Sequence, residues 1–443
     1  MRYLYNIAIW FYCLAVRIVA MFNRKVRLMW QGEQVAFDKI EGSVSDGDRV
    51  VWVHAASLGE FEQGRPLIEK LKRENPEYKI VLTFFSPSGY EVRKNYAGAD
   101  VICYLPLDTA RNARRFVDLV KPEKVVFVKY EFWLNYLREL RRRGVETYII
   151  SAIFRPGQVF FKWYGGLFRE GLKAFKVLFV QNEESKELLK GIGVENVVVA
   201  GDTRFDRVVD VVAMAKRLDV VEEFVGMRTE ECGMRNEECG MRNEECGMRN
   251  GVLVVGSSWG PDEELLAEYI NERAGRVKMI IAPHEVGEER IKELTARLRC
   301  KYALYNEELG VRNEELKDVD VLVINTIGVL SSVYQYGQVA YIGGGFGVGI
   351  HNTLEAAAWG MPVVFGPNYR KFKEACELIE CGAARSIATK EECFAALDEF
   401  FEHNEGPAKA ATEYVASHVG ATGMIYNSQF IIFSPKGSKT FGS

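Results

Sequence analysis

Short apolar runs alternate with amphipathic segments through both halves of this 443-residue chain. The runs read DRVVWVHAAS at 48–57 and KVVFVKY at 124–130 in the first half, and GVLVVGSS at 251–258 and QVAYIGGG at 338–345 in the second. Strands that are apolar on both faces are typical of a parallel sheet covered by helices on both sides. We therefore predict an α/β protein with two doubly wound, Rossmann-like domains, whose ligands bind at the carboxyl ends of the strands.

Composition supports packed domains and removes several alternatives. The length suggests about two domains, and an apolar share of 48% with 12% aromatic residues excludes disorder as the overall state. A net charge of −4 argues against a general nucleic-acid binder. Three of the nine cysteines belong to a short repeat and the others are scattered. We therefore predict no metal site, no cofactor and no disulfide framework.

The first 32 residues differ in kind from the rest. Residues 3–22 are almost wholly apolar, and the basic run NRKVR follows at 23–27. About twenty helical residues can cross a bilayer, whereas Arg17 inside the run also suits a helix that lies in the interface. We predict a membrane anchor at 1–32 with the remainder on the cytoplasmic side, and a buried core helix is the alternative.

The heptad GMRNEEC recurs in the middle of the chain at 226–250. Each unit offers only Met and Cys as apolar side chains and contains a Gly, which costs about 1 kcal/mol in a helix, so a coiled coil is disfavoured. We interpret 207–250 as an interdomain linker. It separates an N-terminal domain at 33–206 from a C-terminal domain at 251–425, and a tail of no evident role follows at 426–443.

The segment YIGGGFGVGIHNTLEAAAWGMPVVFG at 341–366 leads from a strand through a glycine-rich loop into a helix. Glycines lack the Cβ atom that would hold a ligand away, so backbone N–H groups can approach an anion. The helix predicted to begin near Asn352 points its positive end to the same place. Glu355, one turn into that helix, is spaced to accept from ribose hydroxyls. A flexible turn with a solvated Glu is the alternative.

Three charged residues follow predicted strands in the first half. Glu60 comes after HAASLG at the opening of a helix, Glu131 after KVVFVKY, and Arg204 after NVVVAGDT. A carboxylate at such a position can act as general base toward an acceptor hydroxyl. Each residue also has a plain structural alternative, because acidic residues are favoured at helix starts and any of the three can be an ordinary salt-bridge partner.

The chain resembles the 3-deoxy-D-manno-octulosonic acid (Kdo) transferases in a series of motifs that occur in order: HAASLGE, YEFW, GDTRFD, APHE and GGGFGVGIHNTLEAAAWGMPVVFGP. The resemblance implies the glycosyltransferase B architecture, with two Rossmann-like domains facing a cleft. It further implies an inverting transfer of Kdo from CMP-Kdo, bound by the C-terminal domain, to lipid IVA, bound by the N-terminal domain. The reaction belongs to lipopolysaccharide inner-core biosynthesis at the cell inner membrane.

The resemblance also implies roles for individual residues. Glu60 would be the proton acceptor, and Glu131 and Arg204 would stabilise the transition state. The implied CMP contacts are Pro283, His284, Ile327, Gly328, Val329, Asn352, Thr353, Leu354 and Glu355. This chain departs from the family where Arg204 replaces a frequent Lys, which changes the hydrogen-bond geometry of the cation. It also has PHE at 283–285 in place of PRH, and IGV at 327–329 in place of MGE.

An anionic lipid acceptor calls for cationic and apolar contacts. Candidate phosphate contacts are Arg111, Arg114, Arg115, Arg141, Arg142 and Arg143, and a candidate apolar lip consists of Phe160, Phe161, Trp163 and Tyr164. For the arginines, a solvated helix face is the alternative.

Other functions fit the same two-domain pattern. A sugar-nucleotide epimerase or hydrolase uses such a fold but needs no anchor, and another membrane-associated lipid-linked sugar transferase would share the anchor. A membrane-tethered interaction protein with an inactive nucleotide fold would bind no donor. Incubation with CMP-Kdo and acceptor separates these alternatives.

Overall fold

The computed structural model of the chain describes residues 2–226, 251–305 and 316–430. It contains two compact units, the first drawn from Met1–Arg207 and His418–Ser443 and the second from Val208–Ser417. Each unit is built on a parallel seven-stranded sheet with helices, which confirms the predicted α/β class. The heptads at 227–250, and with them most of the predicted linker, lie outside the described residues.

The first sheet has the strand order β3-β2-β1-β4-β5-β6-β7. Its strands are β1 (Arg49–His54), β2 (Tyr78–Phe84), β3 (Val101–Tyr104), β4 (Lys124–Val128), β5 (Glu146–Ala152), β6 (Val177–Val180) and β7 (Val197–Val199). Every residue of β1 and β4 after the first is buried, as their apolar sequences require in a sheet covered on both faces.

The helices of this unit follow the amphipathic segments of the sequence. They are α1 (Arg2–Phe22), α2 (Arg24–Glu41), α3 (Leu58–Glu74), α4 (Pro87–Arg93), α5 (Ala110–Val120), α6 (Leu134–Arg143), α7 (Gly166–Leu172), α8 (Glu183–Lys190) and α9 (Arg204–Ala213). The helix α5 is representative: the Thr109 hydroxyl caps its N-terminus, and Ala113, Phe116 and Val120 form its buried face.

The second sheet has the strand order β10-β11-β9-β8-β12-β13-β14. Its strands are β8 (Gly251–Ser258), β9 (Val277–Pro283), β10 (Tyr302–Tyr305), β11 (Val321–Ile324), β12 (Val339–Ile342), β13 (Val363–Phe365) and β14 (Ala384–Ser386). Its helices are α10 (Asp219–Val225), α11 (Gly260–Glu272), α12 (Glu288–Thr295), α13 (Leu330–Val333), α14 (Leu354–Ala358), α15 (Lys373–Glu380), α16 (Lys390–Glu402) and α17 (Glu405–His418).

Both sheets reverse their strand order at one point. The first sheet grows outward from β1 toward β2 on one side, and β4 pairs with β1 on the other. In the second sheet β9 and β12 flank β8 in the same way. Connections leave such a switch point in opposite directions, so a crevice forms beyond the strand ends there. Each unit therefore has one favoured position for a ligand.

The unit boundaries differ from the predicted ones in two places. Helix α10 lies within the predicted linker, yet it buries Val221 and Phe224 in the second unit. At the other end the chain returns to the first unit, where a further helix, α18 (Ala421–Gln429), packs on α3. The Tyr426 hydroxyl donates to Asn75 Oδ1 at 2.6 Å. The predicted boundary at 425 thus cuts through a helix of the first unit, because an apolar pattern does not reveal which domain it packs against.

The N-terminal anchor segment forms α1. By length and composition it is the one helix among the described residues that could cross a membrane. One face of α1 nevertheless contacts the first unit, where the Tyr5 hydroxyl donates to Asp108 Oδ2 at 2.6 Å. Near the other end of the helix Val16 and Ala20 are buried. The opposite face carries large exposed apolar side chains, namely Tyr3, Leu4, Ile7, Trp10, Phe11, Leu14, Ile18, Met21 and Phe22.

Candidate active site

The first cluster of polar side chains lies at the carboxyl ends of β1 and β4. His54 ends β1, and its Nε2 atom is 3.2 Å from Oε2 of Glu131, which stands in the loop after β4. The Trp133 indole N–H donates to the same carboxylate oxygen at 2.6 Å. On the far side of the imidazole ring, Nδ1 of His54 is 2.8 Å from the hydroxyl oxygen of Thr83.

One tautomer of His54 fits its contacts with Glu131 and Thr83. With its hydrogen on Nε2, His54 donates to Glu131, and its Nδ1 atom accepts from the Thr83 hydroxyl. The Trp133 indole nitrogen is also 3.1 Å from Nε2, and with Nε2 protonated the indole donates to Glu131 alone. The Thr83 oxygen in turn accepts from the Trp52 indole at 2.8 Å. Since His54 is fully buried and the Glu131 side chain is 12% exposed, the network holds the Glu131 carboxylate in one orientation at the switch point.

Glu60 lies in the first turn of α3, directly after the same strand end. Its Oε2 atom accepts from the backbone N–H of Ser57 at 3.0 Å and from the Ser57 hydroxyl at 3.2 Å, so it closes a capping box. Burial raises the pKa of Glu60, the nearby charge of Glu131 raises it further, and the hydrogen bonds from Ser57 oppose both effects. Within the described part of the chain Oε1 makes no hydrogen bond.

Arg204 opens α9 after β7. Its Nε atom donates to Asp202 Oδ2 at 2.9 Å, and its backbone N–H donates to Asp202 Oδ1 at 3.0 Å. The Gln63 side chain, on α3, donates to the same Oδ1 atom at 3.0 Å. Asp202 is buried and the Arg204 side chain is 31% exposed, so the carboxylate anchors a guanidinium that still reaches solvent.

The Tyr130 phenol lies near two of the three predicted residues. Burial raises the pKa of Tyr130, and the charges of Arg155, Glu60, Asp202 and Arg204 also act on it. Glu131 is its neighbour in the chain. The structure therefore brings Glu60, Glu131 and Arg204 to one edge of the first sheet, as predicted from the strand ends.

Backbone strain marks the strand ends of both units. Lys129 follows β4 with a φ of 70°, Ser151 lies near the end of β5 with a φ of 50°, and Ser257 lies near the end of β8 with a φ of 55°. A non-glycine residue in this left-handed region costs on the order of 1 kcal/mol or more, and such strain clusters at functional sites.

Three aromatic rings stack at the strand ends of the second unit. Trp259 follows β8, His284 follows β9, and His351 lies in the loop after β12. The ring centroids are 4.6 Å apart for Trp259 and His284 and 4.5 Å apart for the two histidines. The Trp259 indole donates to Nε2 of His351 at 3.1 Å. Burial lowers the pKa of His351, and His284 lowers it further, so the His351 ring is neutral near pH 7.

The glycine-rich loop uses its amides differently from the prediction. Gly344 donates to the buried Asp262 carboxylate at 2.9 Å. Gly347 and Gly349 donate to the carbonyl oxygen of Gly344 at 3.0 and 3.2 Å. Glycine is required at Gly343 for packing, because an added Cβ would lie 2.3 Å from a neighbouring backbone carbonyl oxygen. These amides stabilise the loop itself, so the predicted anion cradle is wrong for them.

The helix predicted to begin near Asn352 begins at Leu354 and is five residues long. The Asn352 side chain accepts from the Leu354 N–H at 3.1 Å and donates to Glu355 Oε1 at 2.9 Å. The Thr353 hydroxyl is buried with no hydrogen-bond partner among the described residues. The four predicted residues at 352–355 are thus together, but so short a helix has little macrodipole.

The remaining predicted donor residues follow two paired strands. Pro283 is buried at the end of β9, and His284 next to it is exposed. Ile327, Gly328 and Val329 form an exposed turn after β11, the neighbour of β9 in the sheet. Gly328 has a φ of 97°, a conformation that favours glycine.

Sequence reasoning assigned no role to several residues that the structure places at these sites. They are His54, Thr83, Trp133, Trp259, Asp262 and His351. A signal was present, because most of them stand at the end of a predicted strand or within a few residues of it. The sequence did not show which of these residues contact each other, since each contacts a partner that follows or lies in another strand.

The fold as a whole is similar to that of solved sugar-nucleotide enzymes. UDP-GlcNAc 2-epimerase from Neisseria meningitidis, bound to UDP-GlcNAc, matches with a TM-score of 0.57 and 16% identity over 86% of this chain and 99% of that chain. A putative UDP-N-acetylglucosamine 2-epimerase from Listeria monocytogenes matches with a TM-score of 0.56 and 14% identity over 86% and 96%. At this identity the likeness concerns the fold alone. Two doubly wound parallel sheets define an α/β protein of the glycosyltransferase B type.

Sequence comparisons find similarity to one group of enzymes. Residues 29–207 match the family model described as 3-Deoxy-D-manno-octulosonic-acid transferase (kdotransferase). The chain is 26% identical over 358 residues to the 3-deoxy-D-manno-octulosonic acid transferase of Aquifex aeolicus, which covers 79% of this chain and 85% of the relative. The Bordetella pertussis relative of the same name is 27% identical over 391 residues, with coverages of 84% and 85%. Both comparisons find the chain similar to Kdo transferases.

Proposed function

We propose that this protein is an inverting glycosyltransferase that moves Kdo from CMP-Kdo to the lipid A precursor lipid IVA. Similarity to Kdo transferases supports the identity of the transferred sugar. The observation that carries the mechanism is the carboxylate pair at the switch point of the first sheet. There Glu60 has a raised pKa and an oxygen free for substrate, beside a Glu131 carboxylate that His54 and Trp133 hold in place.

Glu60 takes the role of general base. Its carboxylate accepts the proton of the acceptor hydroxyl while the hydroxyl oxygen forms a bond to the anomeric carbon of Kdo, and the bond from that carbon to the CMP phosphate breaks. A pKa raised by burial and by the charge of Glu131 brings the carboxyl nearer to working pH, which strengthens it as a base. The Ser57 hydrogen bonds keep the carboxylate oriented toward the strand ends.

Glu131 and Arg204 stabilise charge. As positive charge develops on the sugar ring, the Glu131 carboxylate offers a fixed negative charge that needs no reorganisation, because its partners already orient it. Arg204 supplies a positive charge toward a phosphate, and Asp202 restricts its position. Base, carboxylate and guanidinium complete the transfer without a metal ion.

In this proposal the second unit binds the donor, CMP-Kdo. His284 offers an exposed ring at the end of the stack with Trp259 and His351, a surface on which a base can lie. Glu355 accepts from ribose hydroxyls, and the buried Thr353 hydroxyl is available to a polar ligand group. The turn at 327–329 contributes backbone groups, and Pro283 shapes the floor beside His284.

The membrane is the site of the reaction, and α1 is the anchor. The helix contacts the first unit near both of its ends, through Tyr5 at one end and through Ala20 and Arg27 at the other. At 1.5 Å per residue these contacts are about 22 Å apart. A helix that crossed the bilayer could not keep contacts with the domain at both of its ends. We therefore propose that α1 lies in the plane of the inner membrane's cytoplasmic face with its exposed apolar side chains in lipid.

The test is transfer by the purified full chain with CMP-Kdo and lipid IVA, followed by mass spectrometry of the lipid. We expect addition of Kdo and release of CMP. Consumption of CMP-Kdo without any lipid product, at the same rate with and without acceptor, would refute the transfer and favour the hydrolase alternative. Binding of CMP-Kdo with no turnover at all would favour an inactive nucleotide fold.

A further inference from the structure

A cavity of about 430 Å³ lies between α1, α2 and the beginning of α5. Its walls come from all three helices and from the loop before α5, and none of the residues assigned to acceptor deprotonation or donor binding lines it. Trp10 and Trp30 supply aromatic walls. Because α1 forms one side, the cavity exists only when that helix is docked on the first unit.

Cationic side chains surround the cavity. Arg17 from α1 and Arg111 and Arg115 from α5 line it. Arg115 pairs with Glu41 at 3.0 Å, in a contact that leaves both side chains about half exposed. Within the described residues the guanidinium groups of Arg17 and Arg111 make no hydrogen bond or ion pair, so their donors are available to a ligand. In a chain with a net charge of −4, this concentration of positive charge is local.

A buried polar group also faces the cavity. Glu33 on α2 lines it and is 5% exposed, and its Oε1 atom has no hydrogen-bond partner among the described residues. Burial raises the pKa of Glu33 to about 8, so the carboxyl keeps its proton at neutral pH and can donate a hydrogen bond. A buried polar atom without a partner is costly, and a ligand with an acceptor oxygen would satisfy it.

The cavity lies next to the face of α1 that we propose to be in the membrane. Trp10 lines the cavity and is also 61% exposed on the outward apolar face of α1. With that face in the membrane interface, the cavity opens where lipid headgroups lie. Guanidinium groups bind phosphate oxygens through paired N–H donors, and tryptophan suits the boundary between headgroups and acyl chains.

We infer that this cavity binds the phosphate group of a lipid, with Arg17 and Arg111 as its cationic contacts and Glu33 as a hydrogen-bond donor at its base. The inference rests on the proposed membrane attachment but not on the transfer reaction. Two lipids share this chemistry: a membrane phospholipid with an exposed phosphate, and the anionic acceptor itself.

The experiment is flotation of the full chain with vesicles of phosphatidylcholine alone or mixed with phosphatidic acid. We expect phosphatidic acid to strengthen binding of the unchanged protein. For vesicles with phosphatidic acid, the double variant Arg17→Gln with Arg111→Gln should bind about tenfold more weakly than the control double variant Arg24→Gln with Arg114→Gln. The two variants remove equal charge from exposed positions, and only the first pair lines the cavity. Basic residues outside a specific site contribute only general electrostatic attraction to an anionic surface, whereas residues in the cavity would add hydrogen bonds to the phosphate.

Transfer assays on the same variants distinguish the two lipids. A rise in the acceptor KM at unchanged kcat, with detergent-dispersed acceptor, assigns the cavity to the acceptor phosphate. A loss confined to vesicle binding assigns it to a membrane phospholipid. Equal losses in the two double variants in both assays would overturn the inference, since only general electrostatic attraction would then be present. Absence of transfer by the unchanged protein would refute the proposed reaction while the vesicle comparison still tests the cavity.

Discussion

The substitution Glu60→Gln tests the proposed base. Glutamine has nearly the same shape and keeps an oxygen that can accept from Ser57, but it cannot take a proton. We expect the single-turnover rate of transfer to fall by about 10²–10⁴-fold, the usual contribution of a general base. Because glutamine can still accept from the Ser57 N–H in the capping box of α3, the free energy of unfolding should be nearly unchanged. Donor affinity should not change, since no proposed CMP contact involves Glu60.

The matched control is Ser57→Ala. It removes the hydroxyl that bonds to Glu60 at 3.2 Å and leaves the carboxylate in place, so it should lower the free energy of unfolding by roughly 0.5–2 kcal/mol with transfer within about tenfold of the unchanged protein. Stability is measured by urea denaturation and the rate by rapid-quench single turnover. Near-normal transfer by Glu60→Gln at saturating donor and acceptor would refute the assignment and move the base to Glu131. Equal rate losses in the two variants would show that Glu60 acts through the helix start alone.

Three further outcomes are expected. Glu355→Gln should weaken CMP-Kdo binding by about tenfold in calorimetry while transfer at saturating donor is nearly unchanged, and the opposite pattern would remove Glu355 from the ribose. Shortening the repeat at 226–250 by one or two heptads should leave solubility and transfer nearly intact, because loop-closure entropy changes slowly with length; a large loss of either would show that the repeat is structural. The pKa of Glu33 is raised by burial from 4.5 to about 8, so the folded state holds a proton that the unfolded state releases, and stability from this group falls as pH rises through that window. Glu33→Gln should flatten the dependence of the free energy of unfolding on pH between those values, by up to a few kcal/mol. Urea denaturation at several pH values measures this, and parallel curves for the two proteins would contradict it.

Local sequence determined the elements of both domains. The apolar runs at β1, β4, β8 and β12 are buried strands in the structure, because a strand covered on both faces has no polar side to show. The position of the first site followed from this, since parallel strands bring their carboxyl ends to one edge. Glu60, Glu131 and Arg204 were predicted on that ground and lie at that edge.

Other predictions depended on partners that no local pattern names. The loop at 343–349 was expected to offer its amides to an anion, yet buried Asp262 accepts from Gly344, and the carbonyl oxygen of Gly344 accepts from Gly347 and Gly349. The helix after the loop begins at Leu354, and the Asn352 side chain accepts from the N–H of that residue. The domain boundary at 425 failed for the same kind of reason, since α18 packs on α3, more than three hundred residues earlier in the chain.

The sequence by itself determined the class of fold, the strands and helices, and the strand ends that carry charge, because these follow from hydrophobic periodicity over ten or fewer residues. Only the tertiary structure decided what each charged group meets. His54 and Glu131 are 77 residues apart in the chain, and they form a hydrogen bond because β4 pairs directly with β1 in the sheet. Arg17 and Arg111 line one cavity because α1 docks lengthwise on the first unit. Strand order and helix docking are set by packing summed over a whole domain, and from that packing come both the raised pKa of Glu60 and the environment of Glu33.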